Sequence, residues 1–490
     1  MQFSSRSPER YIPQVTLFFL GTVYLGLGLV MLALSIAALV LHERALGFGV
    51  GAILGIGLGV VFRRAGDGRG EPSRAEALLS VAVLWLMAPL LGAFPYWLSG
   101  KMAFLDGLLE ATAGFTTSGV SALSDFTSFG YVLLLYRSLS QWLGGVGILV
   151  LLASVLTILG VAGRQLFMTE NAGLRRESLS PRLRSAARNI MLVYGSLTVL
   201  AAVCYGLAGV PWFEAVSTAL STLSTGGFSP NPHSFQTYSP LAQWFGTLFM
   251  FLGGASFLLL YRLFFHGDRK LLGELEFRVY TIIILLAGFS LTLFLYTHPT
   301  AAVQYSFAEA LRQAFFSVTS LATTTGFVSA NYSTWAPGAQ AILLAMMFAG
   351  GCAGSSTGGI KIIRWLVIGA LARRELLRTI HPQAIVTLRI GSKAISEDVM
   401  RSVAAFITLY VGLLAISTLV ISLLENNFVL GFTAAAQAIG NGGQALGAGS
   451  YASFHPLSKI ILMIQMWAGR IELVPVFLLL TPELWKRLRG

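Results

Sequence analysis

Four short clusters carry the residue types from which a dehydrated cation could be coordinated: Thr116-Thr117-Ser118-Gly119-Val120, Ser224-Thr225-Gly226-Gly227-Phe228, Thr324-Thr325-Gly326-Phe327 and Gly440-Asn441-Gly442-Gly443-Gln444. Aligned on one glycine they give Gly119, Gly227, Gly326 and Gly443, in steps of 108, 99 and 117 residues. A hydroxyl or amide residue stands one or two places before that glycine in every copy. A monovalent cation entering a pore must give up its water, and rings of backbone carbonyls replace that shell. Glycine permits φ > 0 without a Cβ penalty, so that successive carbonyls can be turned the same way. No Asp or Glu occupies any of the four clusters, and an uncharged filter suits a monovalent ion, whereas divalent selectivity calls for a carboxylate ring. A single Gly/Thr cluster reads more readily as a turn or a close helix crossing than as a filter. Four at similar spacing read as one pore.

The elements that must position these loops follow from hydropathy. The chain has 490 residues, 55% hydrophobic and only 11% charged, with a mean hydropathy of +0.74, against about a quarter charged for a soluble domain. Each cluster is preceded by an apolar stretch (104–115, 211–223, 307–322 and 428–439) that is shorter than the ~20 residues a spanning helix needs and has the length of a re-entrant segment. Ten longer apolar runs are expected to span, near 15–41, 46–62, 75–99, 131–162, 189–209, 240–265, 277–297, 338–378, 402–424 and 457–481. The repeat unit is therefore helix, half-helix, loop, helix. Irregular backbone at membrane depth survives only when buried in protein or lining a wet cavity, and four loops meeting at one centre supply that cavity.

Of the 33 Lys and Arg, 27 fall in six tracts: before residue 11 and at 63–74, 164–188, 262–278, 361–401 and 486–489. Such clustering marks the cytoplasmic side of a membrane protein, and with an even number of spans both termini are expected there. Each repeat begins and ends on that side, so the four run in parallel, unlike an inverted-repeat transporter. The fold class expected is an all-α polytopic membrane protein: four parallel helix/re-entrant half-helix/helix repeats around a central pore, plus two N-terminal helices. The organisation is 1–70 for the leading pair, then pore repeats at 71–163, 164–270, 271–378 and 379–490. The first apolar run follows Arg6 and Arg10, but it is long for a signal peptide and lacks a small-residue cleavage site, so it reads as a retained helix.

This pattern excludes several classes. The net charge of +12 is accounted for by membrane sidedness, so no nucleic-acid partner is implied; membrane lipid is the expected neighbour of the basic tracts. Cys204 and Cys352 lie in apolar stretches and six His are scattered without metal-ligand spacing. No Walker loop and no catalytic constellation occurs, so no enzyme is expected and no cofactor in this chain. Asp106, Glu110, Glu214 and Glu309 come near the starts of the half-helices, where carboxylates favour the positive dipole end. Asp125, Asn231 and Asn331 follow their clusters and are candidates for an outer mouth. Two rivals remain open. A symporter coupling the ion to H⁺ or Na⁺ requires alternating access, and a membrane-embedded enzyme requires polar catalytic groups gathered at depth.

Further motifs carry a resemblance: Gln141-Trp142-Leu143-Gly144-Gly145 after the first cluster, the run Gly350-Gly351-Cys352-Ala353-Gly354-Ser355-Ser356-Thr357-Gly358-Gly359-Ile360-Lys361, and Gly469-Arg470-Ile471-Glu472. With the four loops and two leading helices, nearly the whole chain resembles the Trk/Ktr/HKT superfamily of potassium transporters, in its bacterial TrkH-type branch. The resemblance implies potassium-selective, channel-like uptake driven by the potential of the bacterial cytoplasmic (inner) membrane. It implies a filter formed by Thr116, Thr117, Ser118, Gly119, Thr225, Gly226, Gly227, Thr324, Thr325, Gly326, Asn441, Gly442 and Gly443, with all four aligned positions Gly as in potassium-selective members. One departure is Gln444 after Gly443, where members of the family often have Pro.

The glycine-rich run interrupts 338–378, which as one helix at 1.5 Å per residue would be too long for the bilayer. The resemblance implies that this break is a gating loop beneath the filter, formed by Gly350, Gly351, Gly354, Ser355, Ser356, Thr357, Gly358, Gly359 and Lys361; a tight crossing of small residues is the plainer alternative. Arg470 interrupts an apolar segment, at an insertion cost of roughly 2.5 to 3.5 kcal/mol. Ten residues after Gln243, Gln340 and Lys459 come Gly253-Gly254, Gly350-Gly351 and Gly469-Arg470, so one repeat projects a cation where two leave space. Arg470 is expected in the permeation path, as its resemblance to the family's pore arginine implies; the alternative is a structural pair with a carboxylate on another helix. The family also implies a homodimer and a cytoplasmic nucleotide-binding regulatory subunit of TrkA type, so a nucleotide would act only through that partner.

Overall fold

The computed structural model describes residues 13–68, 73–123, 126, 128–154, 179–383, 389–391, 393–443 and 450–489. The leading helices Gln14–Val40 and Leu46–Ala65 run side by side. They approach so closely at Gly28 and Gly55 that a Cβ on Gly55 would lie 2.8 Å from the Gly28 Cα. Gly51, Gly55 and Gly59 repeat every four residues on the second helix, the small-residue stripe through which helices associate where lipid removes the hydrophobic drive.

Four repeats follow. Their first helices are Arg74–Gly92, Leu179–Leu207, Leu275–Thr297 and Glu397–Glu425, and their half-helices Phe104–Phe115, Trp212–Leu223, Phe307–Ala322 and Phe428–Ile439. Entry to the half-helices is set locally. Ser306 and Glu309 form a reciprocal capping box in the third, and Asn427 accepts from the Leu430 N–H in the fourth, satisfying amides that have no intrahelical partner. Asp106, Glu214 and Glu309 sit in first turns. Glu110 does not: it is the seventh residue of its helix, buried, and paired with Arg137, so the capping role expected for it is replaced by an ion pair.

The second helices depart furthest from expectation. The first, Tyr131–Ser154, is unbroken within the described residues. The second bends by 107° between Pro240–Gly253 and Phe257–His266, the third is interrupted between Pro337–Met346 and Ile362–Ile380, and the fourth between Pro456–Arg470 and Leu473–Leu479. Only the third break was expected; among the described residues seven uninterrupted helices are long and apolar enough to span, or eight if the bent pair counts as one span. The break at Gly254 is paid in hydrogen bonds from far along the chain: the Cys352 N–H donates to the Gly254 carbonyl (2.8 Å) and the Phe257 N–H to the Gly354 carbonyl (3.1 Å). A short helix, Pro482–Arg489, follows, and a two-residue antiparallel pair, Arg389–Ile390 with Lys393–Ala394, lies in the basic tract.

The half-helices end buried at the centre of the bundle, whereas Leu29, Ile53, Val199, Leu286, Leu293, Ile416 and Leu423 project outward, each exposed. Apolar side chains outside and polar loops inside are what a lipid-solvated pore requires. The chain is a nearly all-helical polytopic membrane protein, and its helix order after the two leading helices is consistent with four helix/half-helix/helix repeats.

Candidate functional site

The four clusters, about a hundred residues apart in sequence, meet at the C-terminal ends of the half-helices, where the partial negative charge of each helix dipole is directed. In each loop the residue two places before the aligned glycine is left-handed: Thr117 (φ 53°), Thr225 (51°), Thr324 (55°) and Asn441 (51°). This repeated strain in non-glycine residues is the clearest local signature of the site. Of the aligned glycines only Gly227 and Gly326 have positive φ (80° and 83°). Conformational freedom therefore explains two of them; close approach explains all four. A Cβ on Gly119 would lie 2.6 Å from the Gly443 Cα, Cβ atoms on Gly326 and Gly443 would overlap each other's backbone, and one on Gly227 would overlap the Thr325 carbonyl oxygen.

Loops 4 and 1 are joined directly, the Gly119 N–H and the Ser118 hydroxyl both donating to the Gly442 carbonyl (2.6 and 2.9 Å). Thr116 donates back to the Thr112 carbonyl (2.7 Å), Thr325 shares a hydrogen bond with Thr323 (2.8 Å), and the Asn441 amide donates to the Met466 carbonyl (2.8 Å). The loops are thus buried and carry no charged side chain. Gln444 lies outside the described residues, as do Asp125 and the part of the 164–188 tract before residue 179. Asn231 and Asn331 accept hydrogen bonds from the backbone amides of His233 and Ser333, respectively, in exposed turns.

Below the loops lies Gly350–Lys361, with Gly350, Gly354 and Gly359 left-handed (φ 71°, 81° and 66°). The Ser356 hydroxyl donates to the Leu223 carbonyl (2.9 Å), and the Gly358 N–H to the Thr324 hydroxyl (3.0 Å). This segment therefore seats directly against half-helix 2 and loop 3. Gly351 packs under the Gly254 carbonyl, and Ser355 shares a hydrogen bond with Thr357 (2.7 Å). Lys361 turns back to its own segment, donating to the Thr357 carbonyl (2.6 Å). Glu276, which the sequence did not single out, accepts from both the Ala353 and Ile363 N–H groups (2.7 and 3.2 Å) and so ties the two ends of the segment together. Its one visible signal was a carboxylate in the first turn of a helix that, Arg278 apart, carries no other charge.

Arg470 is buried and donates to two carbonyls, Ser356 at 2.8 Å and Gly144 at 3.2 Å. Among the described residues it makes no ion pair. Glu472 instead pairs with Arg364 (2.8 Å), whose guanidinium lies over the Phe406 ring. The Gly144 contact exposes an internal homology that counting from Gln243 missed. Gln141-Trp142-Leu143-Gly144-Gly145, Met250-Phe251-Leu252-Gly253-Gly254, Met347-Phe348-Ala349-Gly350-Gly351 and Met466-Trp467-Ala468-Gly469-Arg470 are four copies of one pattern. At the last position of this pattern stand Gly145, Gly254, Gly351 and Arg470, so one repeat has a cation where three have glycine.

On the opposite side of the loops, Arg137 pairs with Glu110 (2.7 Å), both buried, and also donates to the Ser121 hydroxyl (3.1 Å) and the Ser229 carbonyl (3.0 Å) while lying 4.3 Å from the Phe228 ring centroid. Lys459 pairs with Asp106 at 2.5 Å. Arg137→Ala should destabilise the protein by about 3 to 5 kcal/mol, because Glu110 is left as an unpaired buried charge. Thermal unfolding in detergent would show it; an unchanged melting temperature would mean that Glu110 finds another partner. Among the described residues no group of three His, Cys, Asp or Glu is placed to hold a metal ion.

The TrkH family model, described as a cation transport protein, matches residues 66–487. The Trk system potassium uptake protein TrkH of Salmonella typhimurium is 33% identical over 425 residues, covering 85% of this chain and 87% of that protein. TrkH of Halomonas elongata is 32% identical over 480 residues, covering 94% and 98%. The crystal structure of the potassium transporter TrkH from Vibrio parahaemolyticus is similar with a TM-score of 0.88 at 27% identity, over 96% of this chain and 99% of that one.

Proposed function

The chain belongs to the TrkH family of cation transport proteins, and from that premise we propose that it is the membrane subunit of a potassium uptake system, passing K⁺ through a channel-like pore into the cell. It is a membrane transport protein and not an enzyme. The observation that carries the potassium reading is the meeting of four carboxylate-free glycine loops at the C-terminal ends of four half-helices, where backbone carbonyls replace the water of a monovalent ion. Residues 71–163, 164–270, 271–378 and 379–490 are the pore repeats in this reading, with both termini cytoplasmic. The concentration of basic residues at one end of the repeats supports that orientation.

K⁺ sheds its water at Thr116–Gly119, Thr225–Gly227, Thr324–Gly326 and Asn441–Gly443. An inside-negative voltage favours entry by ~2.3 kcal/mol per 100 mV, enough for roughly 50-fold accumulation. The segment Gly350–Lys361 and Arg470 form the gate below. What supports this is their position: Ser356 and Gly358 bond to half-helix 2 and loop 3, and Arg470 bonds to Ser356 and to repeat 1. The gate answers to a cytoplasmic, nucleotide-binding subunit of TrkA type, and the protein works as a homodimer. The printed names of the relatives, members of a Trk system, support a multi-component assembly. Coupling to H⁺ or Na⁺ has no specific residue in its favour.

The test is ion flux from purified protein in liposomes under an imposed inside-negative potential. K⁺ entry exceeding Na⁺ entry is the expected result. Equal entry of both ions would overturn the potassium reading, and no entry even with the cytoplasmic partner added would overturn the pore.

A further inference from the structure

Among the described residues no backbone hydrogen bond joins loop 1 to loop 2, although loops 4 and 1 are bonded directly through Gly119 and Gly442. Arg137 bridges the two loops outside the clusters, at Ser121 and Ser229; within the clusters themselves a second side chain does so. The Gln141 amide nitrogen donates to the Ser118 carbonyl (3.0 Å) and the Gly226 carbonyl (2.7 Å), and its oxygen accepts from the Phe228 N–H (3.0 Å). Gln141 is fully buried, and its amide fills the space that a Cβ on Gly226 would need. Gly226 is glycine for this reason, a constraint separate from the ion.

The four-copy pattern makes the point sharper. Where repeat 1 has Gln141, repeats 2, 3 and 4 have Met250, Met347 and Met466, all buried. Methionine is an unbranched side chain of closely similar length, but its thioether is no donor. Three repeats thus fill this position for packing, and one uses it to bond two filter loops. A carbonyl oxygen has two lone pairs, so the Gln141 amide holds the Ser118 and Gly226 carbonyls in fixed directions and leaves each with a lone pair for another partner.

We propose that Gln141 is a specificity-determining positioning residue: it clips loop 1 to loop 2 and so sets the spacing of the carbonyls that distinguish K⁺ from Na⁺. The inference rests on the potassium-pore reading above. Selectivity depends on the number, spacing and stiffness of coordinating carbonyls, and losing the clip frees two carbonyls and one N–H together.

The test is Gln141→Met, which makes repeat 1 like the other three, with Met250→Leu as a packing control in the equivalent site of repeat 2. Two readouts apply to each purified full-length protein: the K⁺/Na⁺ permeability ratio from reversal potentials in liposomes, and the difference in melting temperature between K⁺ and Na⁺ buffers, which reports binding without an open gate. Gln141→Met should lower the ratio at least tenfold and abolish the melting difference, while Met250→Leu changes neither. A folded Gln141→Met with wild-type ratio and melting difference overturns the clip, as does an equal loss in Met250→Leu. Should Gln141→Met not fold, Gln141→Asn, whose shorter amide cannot reach both carbonyls, must show a reduced ratio or the clip is overturned. Wild-type protein with no K⁺ preference in either readout refutes the underlying function instead.

Discussion

Arg470→Ala should raise K⁺ flux by about ten- to a hundredfold in the absence of any cytoplasmic partner, which corresponds to about 1.4 to 2.8 kcal/mol removed from the barrier. Two effects of the side chain act in the same direction. A buried guanidinium repels a passing cation more strongly in a low-dielectric pore than it would in water. It also donates to the Ser356 and Gly144 carbonyls, so that it pins the segment under the filter to repeat 1. Arg470→Lys separates the two, since an ammonium keeps the charge but lacks the planar fork that reaches two carbonyls, and its flux should fall between wild type and Ala. Liposome uptake of K⁺ by protein with wild-type elution and melting behaviour is the measurement. An unchanged flux in Arg470→Ala would take this residue out of the gate.

Gly443→Ser should cost the protein its preference for K⁺ over Na⁺ by about tenfold or more, since ~1.4 kcal/mol of differential coordination is a factor of ten. A Cβ on Gly443 would overlap the Gly326 Cα and lie 2.8 Å from the Gly326 carbonyl oxygen, so it must push loop 4 away from loop 3. The displacement would pull on the Gly442 carbonyl, which receives hydrogen bonds from Gly119 and Ser118. Potassium entry should therefore fall while sodium entry holds or rises, read as separate uptake rates under one imposed voltage. Retained selectivity in the folded variant would mean that loop 4 does not take part in discrimination.

Much of this was legible without coordinates because the signals are local. Four apolar stretches too short to span, each running into Gly and Thr, leave few foldings that keep backbone amides satisfied at membrane depth. The break within 338–378 was legible because ten glycine-rich positions interrupt a segment too long for one helix. The bend at Gly254 was not. Gly253-Gly254 permits a break, but the partners that satisfy the freed groups, Cys352 and Gly354, arrive from a hundred residues away. The aligned glycines follow expectation in part: φ > 0 is found there at Gly227 and Gly326 only, and a left-handed residue stands two places earlier in every loop, at Thr117, Thr225, Thr324 and Asn441.

The residues that organise the site from behind were illegible for the same reason. Arg137 was merely a basic residue outside the cytoplasmic tracts, and Glu110 a carboxylate near a helix start; burial of both against each other and against loops 1 and 2 made them a pair. Glu276 gained a role only when Ala353 and Ile363 were brought to it. By itself the sequence determined where the apolar segments and the short half-helices lie, where the glycine loops fall and that no carboxylate stands within them. These depend on hydropathy, side-chain volume and local charge, which are properties of neighbours in the chain. The tertiary structure alone decided which carbonyls are held by Gln141 and Arg470, that the second helices of repeats 2 and 4 also break, and why the aligned glycines admit no Cβ. Each of those depends on donors and acceptors that meet only after four separate repeats have closed around one centre.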